Sequence, residues 1–143
     1  MNEYEKKLEY FMFSHISHIK NPKILEFGVR TGTPTKKFIE IGEKNDGYLY
    51  SVDIDDCSKV SSSKKWKFFQ CRDDNFEFLD NELPGDFNLI YLDSFHNADH
   101  IEKILYHYYS KLKVGGYFII DDISWLPYVL DNYRNSFHCE INN

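Results

Sequence analysis

At 143 residues the chain has room for one hydrophobic core, which excludes a reading as several domains. A 42% hydrophobic share with 17% aromatic residues excludes a disordered segment, and a net charge of −6 argues against a surface built for phosphate backbones. The short basic run at 59–67 does not reverse that balance, so no nucleic-acid partner is expected.

Tyr4, Leu8, Phe11, Met12, His15 and Ile19 recur at helical spacing. Residues 3–19 are therefore predicted as an amphipathic helix covering a sheet, within an N-terminal segment 1–20 that ends at the Asn21-Pro22 break. Its charges leave neither a signal-peptide core nor a membrane span. Next comes Ile24-Leu25-Glu26-Phe27, a buried-type strand running into Gly28-Val29-Arg30-Thr31-Gly32 and then Thr33-Pro34. Gly28 and Gly32 permit a tight turn with the backbone close to a ligand, while Thr33 is expected as N-cap and Pro34 as first helical residue. The loop spacing is Gly-x-x-x-Gly, not the Gly-x-Gly-x-x-Gly that seats a pyrophosphate, so an NAD-dependent oxidoreductase is the weaker reading of this cofactor loop.

A second strand at 48–52 ends in Asp53, where an acid can accept from a ribose diol. Residues 55–65 read as a loop or one short helix before a third strand at 66–71. Asp74 is expected to cap a helix carrying Phe76, Phe78, Leu79 and Leu83. Pro84-Gly85 ends that helix ahead of a fourth strand at 87–92 with Asp93 at its tip. Asn97 precedes a helix with Ile101, Ile104, Leu105, Tyr108 and Leu112 on one face, stopped by Val114-Gly115-Gly116 before a fifth strand at 117–120. Alternating helices and continuous apolar strands predict an α/β fold, doubly wound on a mainly parallel sheet. The core is expected at 22–123, with a helix and short tail at 124–143 completing a single domain over 1–143.

Ligands bind such sheets beyond the carboxyl ends of the strands, where Glu26, Asp53, Asp93, Asp121 and Asp122 all fall. Asp93, Asp121 and Asp122 could together hold Mg²⁺ or a similar hard ion; the alternative is a set of solvated strand-end carboxylates. His96 is placed to act as a general base, whereas His100 reads as a helix-surface residue. Cys57, Cys71 and Cys139 lack metal-ligand spacing and read as reduced thiols of a cytoplasmic protein.

Three segments together resemble the class I S-adenosylmethionine-dependent methyltransferases, and more narrowly the small-molecule O-methyltransferases of methyltransferase family 24. They are the Leu25-Glu26-Phe27-Gly28-Val29-Arg30-Thr31-Gly32-Thr33 loop, Ser51-Val52-Asp53-Ile54-Asp55, and the block 86–123 with Leu92-Asp93-Ser94-Phe95-His96 and Lys113-Val114-Gly115-Gly116-Tyr117-Phe118-Ile119-Ile120-Asp121-Asp122. The resemblance implies strand order 3-2-1-4-5 and S-adenosylmethionine as cofactor. Its methionine part would face Glu26, Gly28, Gly32 and Thr33, its ribose Asp53 and its adenine Asp73. Asp93 would adjoin both the cofactor and a divalent metal shared with Asp121 and Asp122, and Asp93 and His96 would serve catalysis on a small-molecule or sugar hydroxyl. Three departures stand out. Ser94 replaces a usual glycine, Arg72 stands before the adenine-site acid where glycine is common, and the C-terminal hairpin is short or missing. The last would leave strand five as an open edge for a homo-oligomer, and it also admits a truncated or degenerate protein that binds S-adenosylmethionine without turnover.

Overall fold

The computed structural model describes residues 1–123; the C-terminal helix and tail expected at 124–143 lie outside the described residues. Five parallel strands form one sheet in the order β3-β2-β1-β4-β5. They are β1 (Lys23–Phe27), β2 (Tyr48–Asp53), β3 (Trp66–Gln70), β4 (Phe87–Leu92) and β5 (Leu112–Ile120). This is the doubly wound order that the resemblance implies. Central β1 is buried between β2 and β4, which is why its side chains are apolar on both faces apart from Lys23 at its start and Glu26.

Successive side chains of a strand point to opposite faces, and the two faces carry separate cores. On one, Ile24, Leu49 and Leu89 meet the N-terminal segment through Leu8, Met12 and Ile16, and α3 (Thr33–Asn45) through Phe38. On the other, Leu25, Phe27 and Val52 meet Leu79 of α4 (Phe76–Glu82) and Ile104 and Tyr108 of α5 (Ala98–Tyr108). Phe38 has no exposed surface and packs edge-on against Phe13 and Tyr91, a contact whose loss by Phe38→Ala costs about 3–5 kcal/mol.

The N-terminal helix departs from a regular amphipathic one. α1 (Glu3–Leu8) and α2 (Ser14–Ile16) are joined by a π-helical turn, Glu9–Phe13. The wider i→i+5 turn rotates the face, so Met12, Phe13 and Ile16 go inward while Phe11 and His15 remain outside. Thr33 is the first residue of α3, and its N-cap is Gly32 in the left-handed region at φ +78°, a conformation that a threonine resists. Asp74 caps nothing, because Arg72 and Lys103 hold its carboxylate; Asn75 precedes α4 instead. α5 stops at Tyr108 and continues as a 3₁₀ turn, Tyr109–Lys111. β5 then starts five residues earlier than the apolar pattern suggests, with its register to β4 broken between Phe87 and Leu89.

Candidate functional site

The glycine loop after β1 is held by contacts that dictate its residues. Gly28 has φ +93°, donates its N–H to the Val52 carbonyl at 2.9 Å, and would place a Cβ 2.0 Å from the Asp93 carbonyl oxygen. Only glycine lets the ends of β1 and β4 approach so closely. A Cβ at Gly32 would lie 2.4 Å from Val60, so this second glycine answers to packing against the 55–65 crossover.

Asp53 braces the same loop. Its Oδ2 accepts from the Val29 and Arg30 amides at 2.7 and 3.1 Å, and its Oδ1 from the Asp55 amide at 3.0 Å. Burial works to raise its pKa, but these amides outweigh it and hold the carboxyl below its ordinary value. Asp53 nevertheless lines a cleft of about 430 Å³ at the carboxyl ends of the strands, together with Gly28, Arg30, Asp73, Asp93 and His100. The cleft lies where the strand order reverses between β1 and β4, the place at which open α/β sheets take ligands.

Of the other residues expected at the cofactor, Glu26, Gly32 and Thr33 do not line this cleft. Glu26 points to the α3 face with 0% exposure, accepting from Thr35 Oγ1 at 2.9 and 3.0 Å and from Ser51 Oγ at 2.6 Å. Trp66 Nε1 in turn donates to Ser51 Oγ at 2.9 Å. Burial dominates these hydroxyl donors and pushes the Glu26 pKa up to about 8. Its place is a structural tie from β1 to α3 and β2.

Asp73 stands in the cleft wall but already has partners. His100 Nε2 reaches its two oxygens at 2.9 and 3.0 Å, Ser94 Oγ donates to Oδ2, and Tyr108 Oη donates to its backbone carbonyl at 2.8 Å. His100 is thus part of the cleft and not a surface residue. It is set there by Asn97, whose side chain caps α5 through the His100 amide. Arg72 also reaches the cleft wall, with its guanidinium forked onto Asp74 at 2.8 and 3.0 Å.

Next to the cleft, Asp93, His96 and Asp122 bring ligand atoms within 4.8 Å of one another. His96 Nε2 lies 3.1 Å from Asp93 Oδ1 and 3.9 Å from Asp122 Oδ2. The hydrogen bond that His96 donates to Asp93 leads the causes that raise the His96 pKa above its ordinary value, against burial. The expected Asp93-Asp121-Asp122 set is not what assembles. Asp121 turns away, accepting from Tyr91 Oη at 2.9 Å and from Lys7 Nζ at 3.2 Å. Two carboxylates and an imidazole form a mixed oxygen-nitrogen donor set, which suits Mn²⁺ or Zn²⁺ better than Mg²⁺.

No family of known sequences and no curated protein matches the chain. Solved structures do. The chain is similar to MycE methyltransferase from the mycinamycin biosynthetic pathway, solved in complex with magnesium and S-adenosylhomocysteine, at 20% identity and a TM-score of 0.66 over 90% of this chain. It is also similar to a Staphylococcus aureus protein assigned as a caffeoyl-CoA O-methyltransferase, with 14% identity, a TM-score of 0.67, 99% of this chain and 71% of that one. The fold is the Rossmann-like methyltransferase fold. An O-methyltransferase family protein from Burkholderia thailandensis shares it at 12% identity and a TM-score of 0.58, over 96% of this chain and 45% of that one. The chain spans about a third of the length of MycE, 34%. Among the described residues no helix is long and apolar enough to cross a membrane.

Proposed function

We propose that the chain transfers a methyl group from S-adenosylmethionine to a hydroxyl of a small molecule. The observation that carries this reading is the contiguity of a cofactor-sized cleft at the strand-order reversal with an Asp93-His96-Asp122 cluster at its margin. In this reading Asp53 receives the ribose hydroxyls on its remaining lone pairs, the Gly28 backbone admits the methionine part, and Asp73 with its bound His100 forms the adenine end. S-adenosylmethionine supplies a methyl group made electrophilic by its sulfonium.

The residues have the task of aligning the acceptor and taking its proton. With Nε2 on Asp93, His96 keeps Nδ1 to remove the hydroxyl proton. His96 would hold that proton while the acceptor oxygen takes the methyl group and the sulfur keeps the electron pair of the broken carbon–sulfur bond. Alternatively, with its Nε2 released from Asp93, His96 would join Asp93 and Asp122 to hold a divalent ion, which would lower the pKa of a bound hydroxyl in place of the histidine base.

Calorimetric titration with S-adenosylmethionine and with NAD tests the cofactor, and transfer of labelled methyl to a panel of hydroxyl compounds tests turnover. His96→Ala is expected to leave cofactor affinity unchanged while slowing transfer about 10²–10⁴-fold. Tight NAD binding without S-adenosylmethionine binding would sink the proposal. For the metal, Mn²⁺ titration followed by electron paramagnetic resonance should show a site lost in Asp122→Asn and kept in Asp121→Asn. The second reading is cofactor binding without turnover, favoured by the diversion of Asp121 onto Tyr91 and Lys7, away from the acids beside the cleft. Binding with no transfer to any acceptor would support it.

A further inference from the structure

A second cavity of about 560 Å³ lies between the N-terminal helical segment and the carboxyl end of β5. Among the described residues it shares no lining residue with the cofactor cleft, yet the Asp93-His96-Asp122 cluster joins them: Asp93 lines the cleft and Asp122 lines this cavity. Its walls are apolar, with Leu8 and Met12 from the N-terminal segment facing Ile119 and Ile120 of β5. The charges at its inner end are spent on one another, since Lys7 and Tyr91 both bond Asp121. Asp122 is the carboxylate left over, and it faces His96.

We infer that this cavity takes the methyl acceptor, and that the acceptor is a neutral, largely apolar small molecule with a hydroxyl group. The inference rests on the methyltransferase reading. Three observations select the class. The volume suits a molecule of about the size such pockets commonly enclose. The walls offer few hydrogen-bond partners for the many hydroxyls of a sugar, and burying those groups unpaired is costly. Among the described residues, Lys7 at the inner end is already paired with Asp121, so a phosphate or carboxylate on the ligand finds no unpaired cation among them. A single hydroxyl finds Asp122 and His96 at the end nearest the cleft. Two of the lining side chains, Phe11 at 61% and Ile123 at 71% exposure, present apolar surface that such a ligand would cover.

The probe is 2-naphthol, whose own fluorescence reports binding, with glucose as the sugar comparison. The full chain is expected to bind 2-naphthol and not glucose. Phe11→Glu should weaken 2-naphthol binding by roughly tenfold or more, while Tyr10→Glu, on the same turn but outside the cavity, should change it by less than about twofold. Ile123→Glu repeats the test from the opposite wall if circular dichroism shows Phe11→Glu misfolded. S-adenosylhomocysteine affinity should be the same in all three variants. Equal 2-naphthol binding by Phe11→Glu and Tyr10→Glu, or preferential binding of glucose, overturns the inference. A chain that binds S-adenosylhomocysteine but ignores 2-naphthol overturns the inference alone. One that binds 2-naphthol through Phe11 but takes up no S-adenosylmethionine overturns the proposed function and the acceptor role with it.

Discussion

Glu26 shows how a single buried acid makes stability depend on pH. Its ordinary pKa of 4.5 rises to about 8 in the fold, chiefly through burial. Between those two values the folded state holds a proton that the unfolded state has released, so stability is full below 4.5, falls as pH rises, and levels off above about 8. The slope from this one group is at most about 1.4 kcal/mol per pH unit. Glu26→Gln should flatten that component, which urea unfolding at about pH 5 and about pH 9 would reveal. An unchanged slope would mean that the carboxyl is solvated or charged in the fold. Asp53 gives a second prediction. An asparagine there has one acceptor oxygen for three backbone donors, so Asp53→Asn should lose about 1–3 kcal/mol of stability and weaken S-adenosylmethionine binding together. Weakened binding with intact stability would assign Asp53 to the ligand alone and not to the loop.

At the scale of elements, α5 shows how a cap reaches the site. Asn97 satisfies the His100 amide at 3.1 Å, and His100 in turn holds Asp73. Asn97→Ala is expected to cost about 1 kcal/mol in denaturant unfolding and to weaken cofactor binding as well, because it loosens the first turn that aims the imidazole. A stability loss with unaltered affinity would confine Asn97 to capping. The elements themselves are largely legible in the residues. β1, β2 and β4 are mostly apolar along both faces because both are covered, and α5 repeats its apolar face at helical spacing because only one of its faces is. The π-helical turn is not legible, since an extra residue in one turn leaves the spacing of Leu8 and Met12 looking regular. Of the site, the glycine loop and Asp53 can be read locally, whereas the partners of Asp73 and Asp121 cannot. Lys7 meets Asp121 across 114 positions of sequence, and His100 meets Asp73 across 27. No local spacing encodes such a meeting; only the strand order does.

For the molecule as a whole, the carboxyl edge of the sheet carries two chambers, one at the reversal of strand order between β1 and β4 and one beside β5. The loops after β1, β2, β3 and β4 build one, and the N-terminal segment with the end of β5 builds the other. Among the described residues the chambers have no wall residue in common, so on the proposed function each substrate is expected to enter without displacing the other. Steady-state kinetics should therefore show random addition of the two substrates, with lines that intersect when initial velocities are plotted at varied concentrations of both. S-adenosylhomocysteine should compete against S-adenosylmethionine and act as a noncompetitive inhibitor toward the acceptor. Uncompetitive inhibition by an acceptor analogue toward S-adenosylmethionine would instead reveal a compulsory sequence, in which the first arrival builds the second binding place. If the two chambers also open separately, the spent cofactor leaves while a fresh acceptor waits, and turnover at high acceptor concentration should saturate without substrate inhibition.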